Sequence, residues 1–121
     1  MTAFMLRIMF DKERRLGPGK VALLEAIASA GSISGAARAM GMSYRRAWLL
    51  LDALNDMFAE RVSDMSHGGT RGGGARLTPF GREVIGRYRA IEAALVHATG
   101  SDVAFLEQHL RSGTVRTQQQ P

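Results

Sequence analysis

The chain has 121 residues, 45% hydrophobic and 22% charged, a size and balance that suit one soluble domain with a single core. It contains no cysteine, which excludes disulfides, thiolate zinc, iron–sulfur clusters and thiol chemistry together. Net charge is +5, from 16 basic and 11 acidic residues, and a moderate excess of this kind says little about partners until it is placed along the chain.

In chain order, FMLRIMF (Phe4 to Phe10) is short, apolar and followed by charges, and reads as a strand. A first helix follows. Pro18 suits its first turn, Val21, Leu24 and Ala28 recur at helical spacing with Leu23 and Ile27 beside them, and Gly31 fits the position after its end. Ser34 is expected to cap a short second helix, Gly35 to Met40, with Ala36, Ala37 and Met40 inward and Gly41 as its left-handed terminator. Ser43 caps a third helix, along which Ala47, Leu50, Leu51, Leu54 and Phe58 repeat. RVSDMSH and ARL, two extended pieces around the glycine-rich GGTRGGG, read as a hairpin. Thr78 and Pro79, a cap and a first-turn proline, open a long helix whose apolar residues are Phe80, Val84, Tyr88, Ile91 and Leu95. SDVAFLEQHL reads as a last short helix capped by Ser101, and SGTVRTQQQP as a polar, disordered tail.

Charge then selects among these elements. No acid lies between Glu25 and Asp52, where Arg38, Arg45 and Arg46 stand, or between Asp64 and Glu83, where Arg71, Arg76 and Arg82 stand. The two windows account for the whole positive excess, a localised footprint of the kind nucleic-acid binders carry. The first window coincides with residues 34 to 57, which have the layout of a helix-turn-helix. Ala37 is small where two helices approach, Gly41 permits the sharp turn, and Met42 fills the space between the helices. In such a motif the second helix enters the major groove and its first turn reaches base edges. Tyr44, Arg45 and Arg46 stand there; arginine pairs in bidentate fashion with guanine, and tyrosine reaches a phosphate or a thymine methyl. Ser34, Arg38 and Ser43 join the same DNA-facing set. An ordinary helical hairpin with a solvated basic end has the same local pattern, and the charge map favours DNA over it. Trp48 adjoins the inward Ala47, which allows two placements, at the core edge against the second helix or beside the DNA.

The second window contains Arg71, Gly72, Gly73, Gly74 and Arg76. It lacks the GK[ST] ending of a P-loop and does not satisfy GxGxxG, which argues against a nucleotide site. A slim hairpin tip beside a phosphate backbone fits better, with Arg71 for the minor groove or a phosphate and Arg76 for a phosphate at the base. A mobile surface loop is the plainer alternative. The apolar stripe of the long helix runs further than a three-helix core needs, which points to dimerisation through Val84, Tyr88, Ile91 and Leu95. A two-fold dimer sets two reading helices about 34 Å apart, to match a palindromic site. His67, His97 and His109 are scattered without ligand spacing, and no serine has a GxSxG setting, so no enzyme activity, metal or cofactor is expected. No apolar run approaches a membrane span, and the amino terminus lacks a signal-peptide pattern, so a cytoplasmic, nucleoid-associated protein is expected.

The stretch AGSISGAARAMGMSYRRAW, followed by GGTRGGGARLTPFGREVI, resembles the amino-terminal winged-helix domain of the ModE family of molybdate-responsive transcriptional regulators. The helix-turn-helix is also similar to that of LysR-type regulators. The resemblance covers roughly residues 4 to 98 and rests on SYRRAW joined to a glycine-rich wing and LTPFG. It implies a mainly α fold with a small β-hairpin, a winged helix-turn-helix with a long carboxy-terminal dimerisation helix, bound as a homodimer to a palindromic operator. Ser43, Tyr44, Arg45 and Arg46 would form the reading end, and Gly72 to Arg76 the wing. Full-length members of that family carry a carboxy-terminal molybdate-binding region; here a stand-alone DNA-binding form or a fragment is expected, with no oxyanion site and no molybdate sensing of its own. Residues 1–100 are then the DNA-binding domain with its dimerisation helix, and 101–121 a short helix and tail. The expected function is sequence-specific regulation, on double-stranded DNA, of molybdenum- or other metal-related genes. The alternatives are a non-specific architectural DNA binder and a module that dimerises with a full-length regulator and dampens it.

Overall fold

The structure, a computed structural model, describes residues 2–65 and 74–112. It opens with a small antiparallel hairpin, β1 (Ile8–Met9) against β2 (Arg15–Leu16), with Ile8 opposite Leu16. The strand expected over Phe4 to Phe10 is thus two residues long, and its partner lies in what reads by sequence as a charged cluster. The cause is Asp11, whose carboxylate accepts from the N–H groups of Glu13 (3.0 Å) and Arg14 (2.8 Å) and so turns the chain back.

Three helices follow, α1 (Pro18–Ala30), α2 (Ile33–Met40) and α3 (Tyr44–Met57). Helix α1 is the centre of the core: Val21, Leu23, Leu24 and Ile27 are fully buried, and α2, α3 and the last helix of the core all pack on it. Ala28, at helical spacing from Val21 and Leu24, is exposed together with the rest of the last turn, residues 28–30. The α1 end is as expected, with Gly31 at φ 75° and its N–H on the Ile27 carbonyl (2.8 Å). The cap of α2 is Ser32, not Ser34: the Ser32 hydroxyl accepts from the Gly35 N–H (3.0 Å), and Ile33 enters the core as the first helical residue. Ser34 is an exposed residue of the first turn.

The hairpin expected around the glycine-rich stretch consists of β3 (Ser63–Met65) and β4 (Ala75–Leu77), antiparallel, with Asp64 opposite Arg76. Its second strand is tied to the α1–α2 turn by a bridge between Gly74 and Ser32 and by the Ala75 N–H on the Gly31 carbonyl (3.2 Å). Arg71, Gly72 and Gly73, with His67, lie outside the described residues, as does the tail from residue 113.

The long helix, α4 (Pro79–Ala98), starts as the sequence predicts. The Thr78 hydroxyl accepts from the Gly81 N–H (2.9 Å) and donates to the Arg61 carbonyl (2.7 Å), while the Thr78 N–H donates to the Val62 carbonyl (3.0 Å). Val84 and Tyr88 pack into the chain's own core, 7% and 1% exposed, and the Tyr88 hydroxyl donates to the Leu6 carbonyl. Two of the four residues expected at a dimer interface therefore offer no surface to a partner. Arg89 binds Glu25 of α1 through two hydrogen bonds (2.7 and 3.0 Å) and Glu92 through one (2.7 Å), and its guanidinium holds the Glu25 carboxyl below the usual range. After a break at Thr99 the chain continues as α5 (Gly100–Gln108). Thr99, not Ser101, is the residue at the α5 start, because its hydroxyl and N–H close α4 on the Leu95 carbonyl while its own carbonyl accepts from Val103. No residue of α5 is buried.

Gly81 sits so close to the preceding segment that a Cβ there would lie 2.1 Å from the Val62 carbonyl oxygen. Only glycine allows this approach. Gly81→Ala is expected to destabilise the domain by at least about 1–3 kcal/mol, measured as a drop in the urea midpoint; an unchanged midpoint would refute the close contact.

Candidate nucleic-acid interface

Helix α3 is held from below and open above. Ala47, Leu51 and Leu54 are fully buried, and Leu50 and Trp48 are half-buried against the core. The turn that delivers it is hydrogen-bonded throughout. Gly41, at φ 66°, and Met42 donate their N–H groups to the last carbonyls of α2, including Met42 to Ala37 at 3.0 Å. Ser43 then accepts from the Arg46 N–H (3.0 Å) through its hydroxyl and from the Ala47 N–H (3.1 Å) through its carbonyl.

The consequence is that Ser43, Tyr44, Arg45, Arg46 and Leu49 are all exposed at one end of the helix. Farther along, the exposed positions are Asp52, Ala53 and Asp56, so positive charge is confined to the first turn. No acid occupies the first turn of α2, α3 or α4, and their partial positive N-termini stay uncancelled. This end of α3 combines donors in a forked geometry with a positive field, which suits base edges and phosphates alike.

The other expected contact residues are distributed around this end. Ser34 and Arg38 are exposed on α2, the latter in its last turn, where a cation also complements the helix dipole. Trp48 packs on the core edge and, with Tyr44, Arg45 and Leu49, borders a surface depression. In the wing, Gly74 is half-buried at the bridge to Ser32, and Arg76 is exposed opposite Asp64. On α4, Ile91 is exposed and Leu95 half-buried.

Asn55 is a residue the sequence reading passed over. It lies beside Leu54 on α3, and its side-chain carbonyl accepts from the N–H groups of Val62 (2.7 Å) and Ser63 (3.2 Å). The wing is thereby fastened to the helix that carries the basic end. The signal in the sequence was an amide next to the apolar stripe, followed by a strand start that needed an acceptor.

A tight-turned helix pair, an exposed basic first turn on the second helix and a β-hairpin packed beside it define a winged helix-turn-helix fold. Residues 19–82 match the bacterial regulatory helix-turn-helix proteins of the lysR family, and the chain belongs to that family. It is 47% identical to the molybdenum-pterin-binding protein MopB of Rhodobacter capsulatus over 87 residues, 72% of this chain and 32% of that protein. It is 32% identical to the molybdenum transport protein ModE of Azotobacter vinelandii over 129 residues, 96% of this chain and 48% of that one. Against the DNA-binding transcriptional dual regulator ModE of Escherichia coli K12, identity is 33% over 84 residues, 69% and 32% of the two chains. The helix-turn-helix domain is ModE-like, and the chain spans between about a third and a half of the length of these relatives.

Asn55→Ala removes an acceptor from two amides at the β3 start. It is expected to cost about 1–3 kcal/mol and to speed hydrogen exchange at Val62 and Ser63; unchanged protection of both amides would contradict the fastening described.

Proposed function

We propose that the chain is a sequence-specific transcriptional regulator that binds a palindromic operator as a homodimer, with target genes concerned with molybdenum. The observation that carries the DNA reading is the first turn of α3, where Tyr44, Arg45 and Arg46 stand exposed on a helix whose other face is fully buried. In this reading Arg45 and Arg46 contact base edges, Ser43 and Tyr44 the adjoining backbone, and Ser34, Arg38 and Arg76 phosphates. Arg71, Gly72 and Gly73 are assigned to the backbone side of the wing by their sequence alone. Trp48 supports Tyr44 and Arg45 from the core edge. The names of the relatives, which refer to molybdenum transport and molybdenum-pterin binding, support the choice of target genes.

The decisive experiment is selection of bound duplexes from a random pool at physiological salt, repeated with Arg45→Ala and Arg46→Ala. The wild-type chain is expected to enrich a palindrome, and each variant to lose about 1–3 kcal/mol of discrimination at one base position per half-site. A featureless pool with binding that vanishes as salt rises would make the chain an architectural binder instead.

The homodimer rests on apolar surface that the fold leaves uncovered. Phe105, Leu106 and Leu110, at 60%, 63% and 71% exposure, accompany Ile91 and Val96 of α4, also exposed. Helix α5 has nine residues and buries none of them, and a helix this short is marginal in water without a packing partner. A second copy of α4 and α5 supplies one. Leu106→Asp is expected to convert a dimer into a monomer in sedimentation equilibrium with the helical content of α1 to α3 retained. A wild-type chain that sediments as a monomer at micromolar concentration removes the homodimer from the proposal.

A further inference from the structure

On the flank of α3 lies an open cleft that shares only Arg46 with the residues assigned to DNA above. Its walls carry Arg7, just before β1, Arg15 of β2, Lys20 in the first turn of α1 and Arg46 in the first turn of α3. Gly17 forms part of the floor, and the Arg7 side chain lies over it at van der Waals distance from where a Cβ would stand. Four basic residues from separate parts of the chain thus line one concavity, the Arg7 and Arg15 charges close enough to act on Lys20, and none of the four forms an ion pair among the described residues.

The hairpin keeps its own acid away from this cleft. The Asp11 carboxylate is occupied by the Arg14 guanidinium (2.6 Å) and by the turn amides, and neither Asp11 nor Glu13 lines the cleft. Backbone carbonyls hold two of the cations in place without neutralising them. The Lys20 ammonium donates to the Arg15 carbonyl (2.9 Å), and Arg15 Nη2 donates to the Lys12 carbonyl (3.2 Å). Burial holds the Lys20 ammonium below its ordinary range, and the nearby Arg15 and Arg7 charges push the same way. Like charges gathered in this manner are relieved by a bound anion.

We propose that this cleft receives a backbone phosphodiester of the DNA strand bordering the groove that α3 enters. The assignment rests on the DNA-binding reading above and adds to it a backbone contact from the amino-terminal hairpin. Arg46 makes the connection: it lines the cleft and also the outer surface with Ser43, Arg45 and Leu49, so a duplex meeting the first turn of α3 passes the cleft mouth. A contact to phosphate fixes the position of the protein on the duplex and carries no base choice.

The test compares Arg7→Gln, Arg15→Gln and Lys20→Gln, singly and combined, on a duplex selected by the wild-type chain and on a random duplex, over a range of salt. Affinity is expected to fall equally on both duplexes, with discrimination unchanged, and the log–log salt slope to become shallower by about 0.9 for each phosphate contact removed. Arg15→Lys, which keeps the charge, is expected to restore most of the binding, and circular dichroism melting confirms that each variant is folded. A combined variant with the wild-type slope overturns the proposal while the DNA reading, tested on Arg45→Ala, stands. Loss of discrimination in the combined variant overturns it as well, since the cleft would then touch bases. Inorganic phosphate alone shifting the NMR signals of Arg15 and Lys20, with DNA affinity unaffected by the substitutions, would mark a small-anion site and also overturn it. A wild-type chain that binds neither duplex removes the DNA reading and this contact together.

Discussion

The peptide groups on either side of Val62 join the three elements that meet DNA or a second copy in the proposed reading. The Val62 N–H, together with that of Ser63, is held by Asn55 of α3. The Val62 carbonyl accepts from Thr78 at the start of α4, and Gly81 is pressed against it. The Val62 side chain is fully buried. Buried backbone groups must find partners, and here the partners come from different elements, so each fixes the orientation of the others. The angle between α3, the wing and α4 is set by a few hydrogen bonds and one missing Cβ.

From that junction follows the placement of charge. With Leu51 and Leu54 locked in the core, α3 has one free end, and its first turn faces outward. The arginines there add to the positive end of the helix dipole rather than cancel it. Four acidic residues are held in ion pairs elsewhere: Glu25 and Glu92 by Arg89, Glu83 by Arg87, Asp11 by Arg14. These pairs lie at the surface, Glu25 and Glu92 half-buried, and each adds little to stability. No acidic residue stands in the first turn of α3 or lines its flanking cleft, and that placement keeps both basic.

Much of this was legible in the residues. Gly31 and Gly41 end α1 and α2 in the left-handed conformation, Ser43 and Thr78 cap α3 and α4, and the apolar spacing of α3 named its buried face. These are local signals, carried by one residue's conformational range or one side-chain hydrogen bond. The readings that failed needed longer-range information. The α2 cap is Ser32 rather than the expected Ser34, because Ile33 is buried as the first helical residue. The α4 stripe is continuous in sequence, but Val84 and Tyr88 are consumed by the chain's own core, leaving Ile91 among the exposed residues. Counting charge along the chain pointed to two arginine-rich windows and missed Arg7, Arg15 and Lys20, because Asp11 and Glu13 lie among them in sequence.

The sequence by itself determined where the helices stop and start, that a helix-turn-helix and a glycine-rich hairpin lie in succession, and which arginines open α3. Those properties depend on glycine, proline, capping hydroxyls and periodicity, all of which act within a few residues. Only the tertiary structure decided which half of the α4 stripe remains outside, how Asn55, Thr78 and Gly81 converge on Val62, and that four distant cations share one cleft. Such facts depend on which surfaces are brought together and which carboxylates are engaged, and those are properties of packing rather than of neighbouring residues in the chain.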